Sequence, residues 1–240
     1  MKTHTPYGME VVDDCTKCPI RKEGFFCQMG GDSLAAFEKA KFTSSYPAVA
    51  VLFVEGQVPR GVYMLCTGRV KLTMASPEGK TIIVRVAEAG ELLGLHSAIS
   101  GEPQELTAET LQPCQVDFIR REDFARLLRE QRDVAVNTMQ QFGNYYRGAC
   151  QQIRYLGLST SASEKLACFL LEAAARGQQT PQGVRFNLSL THEEIAQIVG
   201  LTRETVTRGL AEFRHQSLIS TKGPTIVIRN KSALEAMSVA

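Results

Sequence analysis

The period of the apolar positions changes along the chain, and each period predicts a different kind of element. A short helical piece over 34–37 leads into Tyr46, after which brief apolar or alternating runs recur with glycine punctuation at Gly56, Gly61, Gly68, Gly79, Gly90 and Gly94. Val51-Leu52-Phe53 and residues 61–65, 70–74 and 81–86 read as strands, with Pro77-Glu78-Gly79 as the hairpin turn between the last two. Short strands at regular spacing predict a sandwich or barrel, here with jelly-roll rhythm. Arg120-Arg121-Glu122-Asp123-Phe124 then opens a helical region in which Met139, Phe142, Tyr146, Ala149, Ile153 and Leu156 recur at alternating steps of three and four. A broad amphipathic face would suit burial against the chain's own strands. So narrow a stripe instead predicts a heptad seam that pairs with a copy of itself in a parallel two-fold homodimer.

The last third is organised by caps. Leu158-Ser159-Thr160-Ser161-Ala162 reads as a hinge, and Ser161 with Glu164 has the spacing of a capping box that starts a helix over 165–175. A loop over 177–183 and a strand over 185–188 precede the most ordered stretch, residues 191–219. There Thr191 and Glu194 repeat the capping-box spacing, Ile195, Ile198 and Val199 follow at helical intervals, and Gly200 stops the helix. Leu201 fills the turn. Thr202 caps a second helix whose inward face is Val206, Leu210 and Phe213 and whose outward face gathers Arg203, Glu204, Thr207 and Arg208. An arginine fork matches guanine O6 and N7, and a glutamate can accept from the cytosine amino group, so these types suit a helix whose first turns meet base edges. Arg-Glu-x-x-x-Arg is also what a solvated helix face with an internal ion pair looks like. The ordered set of cap, helix, glycine turn, cap and helix favours the reader. So does the tail Thr221-Lys222-Gly223-Pro224 with the apolar run Thr225-Ile226-Val227-Ile228, which resembles the hairpin of a winged helix.

Composition changes this picture little. The 240 residues, 44% hydrophobic and 22% charged, suit a globular protein of two domains. Net charge is only +2, and from Ser159 onward nine Lys/Arg stand against seven Asp/Glu, so the DNA argument rests on placement. No apolar run approaches a membrane span, and MKTHTPYGMEVVDD lacks the regions of a signal peptide, so no membrane partner and a cytoplasmic location are expected.

Seven cysteines, an odd number, argue against a disulfide framework. Cys15 and Cys18 form a C-x2-C pair, followed after eight residues by Cys27. Such spacing grips one metal ion or cluster from a tight turn, with a third ligand from a short loop. An iron–sulfur cluster, tetrahedral zinc or direct thiol redox sensing, and structural cysteines all remain open. Cys66, Cys150 and Cys168 lie in apolar or helical runs and read as small core residues. A redox enzyme or electron carrier could use the same thiols, but no second C-x2-C, nucleotide-binding glycine loop or catalytic dyad accompanies them, so an enzyme is not expected.

EEIAQIVGLTRETVTRGL, followed by LIST and TIVI, closely resembles the CRP/FNR superfamily of bacterial transcription regulators, and the resemblance runs nearly the whole chain. It implies an α+β protein with a cysteine-containing segment over 1–33 and a double-stranded β-helix (jelly-roll, cyclic-nucleotide-binding-like) sensor domain over 34–126. A dimerisation helix over 127–158 and a winged helix-turn-helix domain over 159–240 complete it. By resemblance Arg203, Glu204 and Arg208 contact bases of TGTGA- or TTGAT-like half-sites, while relatives differ at the position of Thr207. A dimer sets two recognition helices about 34 Å apart, one duplex turn, which implies a palindromic operator; RNA polymerase is a further implied partner. The oxygen-sensing FNR-like branch has its fourth cluster ligand where Cys114 stands, so the implied set for a [4Fe-4S] cluster is Cys15, Cys18, Cys27 and Cys114. The spacing to Cys27 is longer than that branch usually shows. Relatives of the CRP branch hold the phosphate of cyclic AMP with an arginine and its ribose with a glutamate. Between Arg85 and Arg120 this chain has no Lys or Arg, but carries Glu88, Glu91, Glu102, Glu105, Glu109 and Asp117. Gly90-Glu91-Leu92 superficially matches the ribose motif, whereas alignment on the next strand puts Gly94-Leu95 there and Gln104 or Glu105 at the arginine position. No cyclic nucleotide is expected, and His96 reads as a satisfied loop histidine. Val49 stands where many relatives have a turn glycine.

Overall fold

The computed structural model describes residues 7–22, 27–159 and 161–238, apart from the side chains of Lys22, Tyr155 and Arg176. Thr160, in the expected hinge, lies outside them. The chain divides into two units, Met1–Arg147 and Gly148–Ala240.

In the first unit, short 3-10 turns at Cys15–Lys17 and Pro19–Lys22 precede helix α1 (Gly31–Ala40). Strands β1 (Lys41–Tyr46), β2 (Val51–Phe53), β3 (Gly61–Thr67), β4 (Arg69–Ala75), β5 (Thr81–Glu88) and β6 (Leu92–Leu93) follow. After helix α2 (Leu95–Ser100) come β7 (Thr107–Thr110), β8 (Cys114–Arg120), α3 (Arg121–Glu130) and the long α4 (Arg132–Ile153), within which the division between units falls. The strands form two antiparallel sheets in the orders β1-β8-β3-β6 and β2-β7-β4-β5.

Side chains alternate across a strand, and β8 shows what this does when both faces are covered. Cys114 and Val116 point into the roll, packing with Leu65, Val70, Leu72 and Leu93 from both sheets. Ile119 points the other way, into a second core where Val62 and Met64 of β3 meet Leu34 and Phe37 of α1, Phe124 of α3 and Val134 of α4. Asp117 shares that outer face. It is 1% exposed, with Lys41 Nζ at 2.9 Å and Thr43 Oγ1 donating at 2.7 Å. Removing one partner of such a buried pair costs about 3–5 kcal/mol, because the other charge is left uncompensated. The N-terminal segment is tied to this face through Gln115, which accepts from Val12 N at 2.9 Å and donates to Val12 O at 2.8 Å.

The expected strands and the hairpin at Pro77-Glu78-Gly79 are present, closed by Ser76 N donating to Lys80 O. Three expectations need correction. The helical piece at 34–37 extends over Gly31–Ala40, because Ser33, Leu34, Phe37 and Ala40 make one buried face. The loop at 177–183 contains a strand pairing with its successor. The helical seam changes period at its end: residues Arg154–Leu158 form a π turn, which moves Leu156 off a stripe drawn for an α-helix.

In the second unit, α5 (Ala162–Ala173) begins with the expected capping box of Ser161 and Glu164. Then come β9 (Gln178–Thr180), β10 (Gly183–Asn187), α6 (His192–Val199), α7 (Arg203–His215), β11 (Ile219–Lys222), β12 (Thr225–Ile228) and α8 (Lys231–Met237). The sheet order is β11-β12-β10-β9. Leu166, Leu170, Ile195, Val199, Val206, Phe213, Ile228 and Leu234, none more than 2% exposed, form its core.

Val49 adopts φ 62°, a left-handed conformation that is strained for a β-branched residue. It is held there by its own N–H on Thr110 O at 2.8 Å and by Thr110 Oγ1, which accepts from Ala50 N and donates to Pro47 O. Its side chain is 73% exposed, so packing gives little in return. Relief of a left-handed penalty of about 1–2 kcal/mol, against the greater unfolded-state freedom of glycine, predicts that Val49→Gly stabilises by about 0.5–1 kcal/mol. Urea unfolding followed by far-UV dichroism should show a higher midpoint; a lower one would mean that the valine side chain contributes contacts.

Candidate functional site

The caps of α6 and α7 fix the candidate reading face. Thr191 accepts from Glu194 N while Glu194 accepts from Thr191 N at 2.7 Å, and Thr202 accepts from Thr205 N at 3.2 Å. Each such cap contributes about 1 kcal/mol. Gly200 takes φ 66°, and Leu201 N closes the turn on Ala196 O at 3.0 Å. Helix α7 can lie close on α5 because Gly209 has no side chain: a Cβ there would come within 2.4 Å of Leu166 Cδ1. With Val206, Leu210 and Phe213 buried, Arg203, Glu204, Thr207 and Arg208 all face solvent.

These four are not equally free. The Thr207 hydroxyl donates to Arg203 O at 2.9 Å and lies 2.8 Å from His192 Nδ1. Its single proton is thus committed, so His192 must donate from Nδ1, and Thr207 links the two helices. Arg203, Glu204 and Arg208 carry the chemistry that recognises base edges. Sequence reasoning did not single out His192, nor Arg214 and Arg229. The last two line a polar depression beside the β11–β12 hairpin with Ser217, Ser220 and Thr221, where Arg214 donates to Thr221 Oγ1 at 3.5 Å. Two cations beside a wing are the usual means of holding phosphates.

Along α4 and its continuation, Met139, Tyr146 and Ile153 are 64%, 75% and 65% exposed, and Ala149 is exposed between them. Phe142 is half-buried against the outer core of the first unit, and Leu156 covers Gly200, where a Cβ would meet its Cδ2 at 2.6 Å. Five of the six expected seam residues are therefore exposed, Leu156 least at 37% and lying over Gly200, while Phe142 packs within its own unit. The same helix is clamped to the roll. Tyr145 and Gln141 both donate to Leu92 O, Gln141 also donates to the Tyr145 hydroxyl, and Arg85 lies 3.9 Å over the Tyr145 ring. Burial pushes the Tyr145 hydroxyl up to about 12. Beside these, Thr138 Oγ1 and Gln141 Oε1 are buried without a hydrogen-bond partner.

The N-terminal thiols converge, but on an unexpected partner. Cys15, Cys18 and Cys27 line one tight apolar pocket with Met64, Cys66 and Asp117. Burial, then the neighbouring Cys18 and Cys15, push the Cys27 thiol up to about 12. Burial also raises Cys15, opposed by Lys41, and raises Cys66, assisted by Asp117. Burial disfavours charge on Lys41, yet its contact with Asp117 wins and keeps it a firm cation beside Cys15. Cys114 is not in this group. It points to the opposite face of β8, donating to Gln112 O at 3.1 Å and Arg69 O at 3.5 Å inside the roll. The implied set Cys15, Cys18, Cys27 and Cys114 therefore does not fit a single cluster in this fold. Among the described residues no three Cys, His, Asp or Glu side chains already converge as metal ligands do. Cys66, expected to be simple core, is half-buried at the pocket; Cys150 and Cys168 are half-buried elsewhere.

In the roll, the positions compared with the nucleotide-binding residues of the CRP branch have partners of their own. Glu91 is occupied by Arg85 and by Glu88 N at 2.9 Å. Gln104 is buried with its backbone bonded to Gln57 O, and Glu105 pairs with His96 at 2.9 Å. His96, expected in a loop, instead lies in the first turn of α2, with Glu105 as its partner.

Among the described residues no helix is long and apolar enough to cross a membrane. Residues 43–131 match the family model for the cyclic nucleotide-binding domain, and residues 164–237 match that for the Crp-like helix-turn-helix domain. The chain is 24% identical over 216 residues to the CRP-like cAMP-activated global transcriptional regulator of Mycobacterium tuberculosis (strain ATCC 25618 / H37Rv), covering 90% of this chain and 96% of that one. It is 27% identical to the global nitrogen regulator of Synechocystis sp. (strain ATCC 27184 / PCC 6803 / Kazusa), over 76% of this chain and 82% of the relative. The structure of FixK2 from Bradyrhizobium japonicum superposes with a TM-score of 0.73 at 26% identity, covering 83% of this chain and 98% of that one. A roll and a capped helix pair that match these two domain models in this order make the chain a member of the CRP/FNR family of DNA-binding transcription regulators.

Proposed function

We propose that this regulator binds a palindromic operator as a parallel two-fold dimer, and that the redox state of its N-terminal thiols, through a cysteine-ligated iron–sulfur cluster, sets operator affinity. The reading rests most on the outward cluster of Arg203, Glu204 and Arg208 on the first turns of a doubly capped helix. A pure phosphate binder has little use for Glu204. Arg203 and Arg208 read guanine edges and Glu204 accepts from cytosine in TGTGA- or TTGAT-like half-sites, while Thr207 holds α6 and α7 in register and Arg214 and Arg229 hold the backbone. The open apolar side chains of Met139, Tyr146, Ala149 and Ile153 support pairing of α4 with its copy.

The effector argument runs through donors. The stretch between Arg85 and Arg120 carries no Lys or Arg for a cyclic phosphodiester, so the cyclic AMP that activates the mycobacterial relative is not carried over to this chain. A bound cluster would supply oxidation-sensitive chemistry. Around it the chain's own residues act: Lys41 offsets thiolate charge, Gln115 anchors the N-terminal segment, and the Gln141–Tyr145 clamp joins the roll to the seam helix. A change in that packing need shift operator affinity by only about 1–3 kcal/mol to act as a switch. A second reading, a small polar effector, is favoured by the unpartnered Thr138 Oγ1 and Gln141 Oε1. Native mass spectrometry of freshly purified protein should then find a small organic ligand, and its absence together with bound iron decides for the thiols.

Arg203→Ala should cost about 1–3 kcal/mol on the preferred operator and relax preference at one base pair, read from binding to a panel of singly substituted duplexes. Equal loss on every duplex would make Arg203 a phosphate contact. Ile153→Glu should convert the dimer to monomer in sedimentation at low micromolar concentration; an unchanged mass would refute the seam.

A further inference from the structure

The observations around the thiol pocket go beyond the reading just given, on which they rest, because they bear on which thiols would hold the group. Cys114 is excluded by strand parity. β8 pairs in register with β1 and β3, with Asp117 opposite both Thr43 and Met64, and its alternate residues serve different cores. Bringing Cys114 to the outer face would require a one-residue slip of β8, which would turn Val116 out of the roll and Asp117 into it. Gly68 closes on Cys114 as well: a Cβ at Gly68 would stand 2.4 Å from its sulfur.

Cys66 meets the same conditions with the opposite sign. It follows Met64 by two residues on β3, so it shares the outer face, and it lies where the β3–β8 register shifts between Leu65 and Thr67. Bulges re-aim side chains and are over-represented beside functional sites. Its thiol contacts Met64 O at 3.7 Å and lies beside the Asp117 carboxylate. Cys15 and Cys18 bracket a 3-10 turn whose start is capped by Asp14, accepting from Thr16 N at 2.9 Å, and Cys15 N is held by Glu38 Oε1 at 2.7 Å. Two thiols from one turn, a third from the following loop and a fourth from a fixed strand are what a cuboidal cluster requires. The buried Lys41 beside Cys15 supplies a cation, offset in part by its partner Asp117, which itself lines the pocket and is held by Thr43.

We propose that the cluster site is Cys15, Cys18, Cys27 and Cys66, with Cys114 outside it. Each of the four gives up its thiol proton to solvent as its sulfur bonds iron. Full-length protein purified anaerobically from iron-supplemented cells is compared with Cys66→Ser and Cys114→Ser by visible absorbance, iron and acid-labile sulfide. Wild type and Cys114→Ser should each carry about four irons per chain, as for a [4Fe-4S] centre, and Cys66→Ser should lose most of them. A loaded Cys66→Ser with an empty Cys114→Ser overturns this ligand set while leaving cluster sensing intact. Colourless wild type, with zinc or nothing, removes cluster sensing and the ligand set together. Because serine at position 66 could act through folding, cluster-free wild type is also oxidised mildly and its disulfides mapped by peptide mass spectrometry. A bridge from Cys66 to Cys15, Cys18 or Cys27, with Cys114 unmodified, is expected; a bridge to Cys114, or none to Cys66, contradicts the placement.

Discussion

Strand β8 is the constraint on which the first unit depends. It lies between β1 and β3 with both faces buried, so the two-residue period of a strand becomes a sorting rule. Cys114 and Val116 complete the roll interior. Gln115, Asp117 and Ile119 present a second surface on which the N-terminal segment, α1, α3 and the start of α4 assemble. The ion pair of Asp117 and Lys41 is affordable there only because Thr43 satisfies the second carboxylate oxygen. The same rule decides which sulfurs can meet: those of the N-terminal segment and Cys66 share a face, and Cys114 does not.

The second unit is governed by caps and close approach. Two threonines fix where α6 and α7 begin, Gly200 supplies the left-handed turn between them, and Gly209 lets the reading helix lie near Leu166. The hydroxyl of Thr207 then ties α7 to His192 on α6. The consequence is rigidity: the side chains proposed to read bases extend from a helix whose start and orientation are over-determined.

Most of this was legible in the sequence because local chemistry and global fold agree. Capping boxes at Ser161 and Thr191, the stop at Gly200 and the inward face of Val206, Leu210 and Phe213 are short-range signals, and the structure bears them out. The strands of the roll announced themselves by period and turn residues. What could not be seen depends on long-range register. Only the pairing of β8 with β3 reveals that Cys66 is near Cys15 and that Cys114 faces away, and only the π turn over Arg154–Leu158 takes Leu156 out of the stripe. His192, Arg214 and Arg229 were missed because their significance lies in neighbours distant in the chain. Val49 was the reverse case, a local anomaly visible in sequence whose strain the backbone makes explicit.

The central claim is that one outward cluster of guanidinium and carboxylate groups distinguishes DNA sequences, under control of the N-terminal sulfurs. Selection of bound duplexes from a randomised pool, run in parallel with anaerobic and air-exposed protein, measures both parts at once. The account predicts enrichment of a two-fold symmetric sequence with half-site centres about one helical turn apart, about 34 Å, and a marked loss of that enrichment in air. A flat pool in both atmospheres would contradict the reading face, and equal enrichment in both would contradict its control by the thiols.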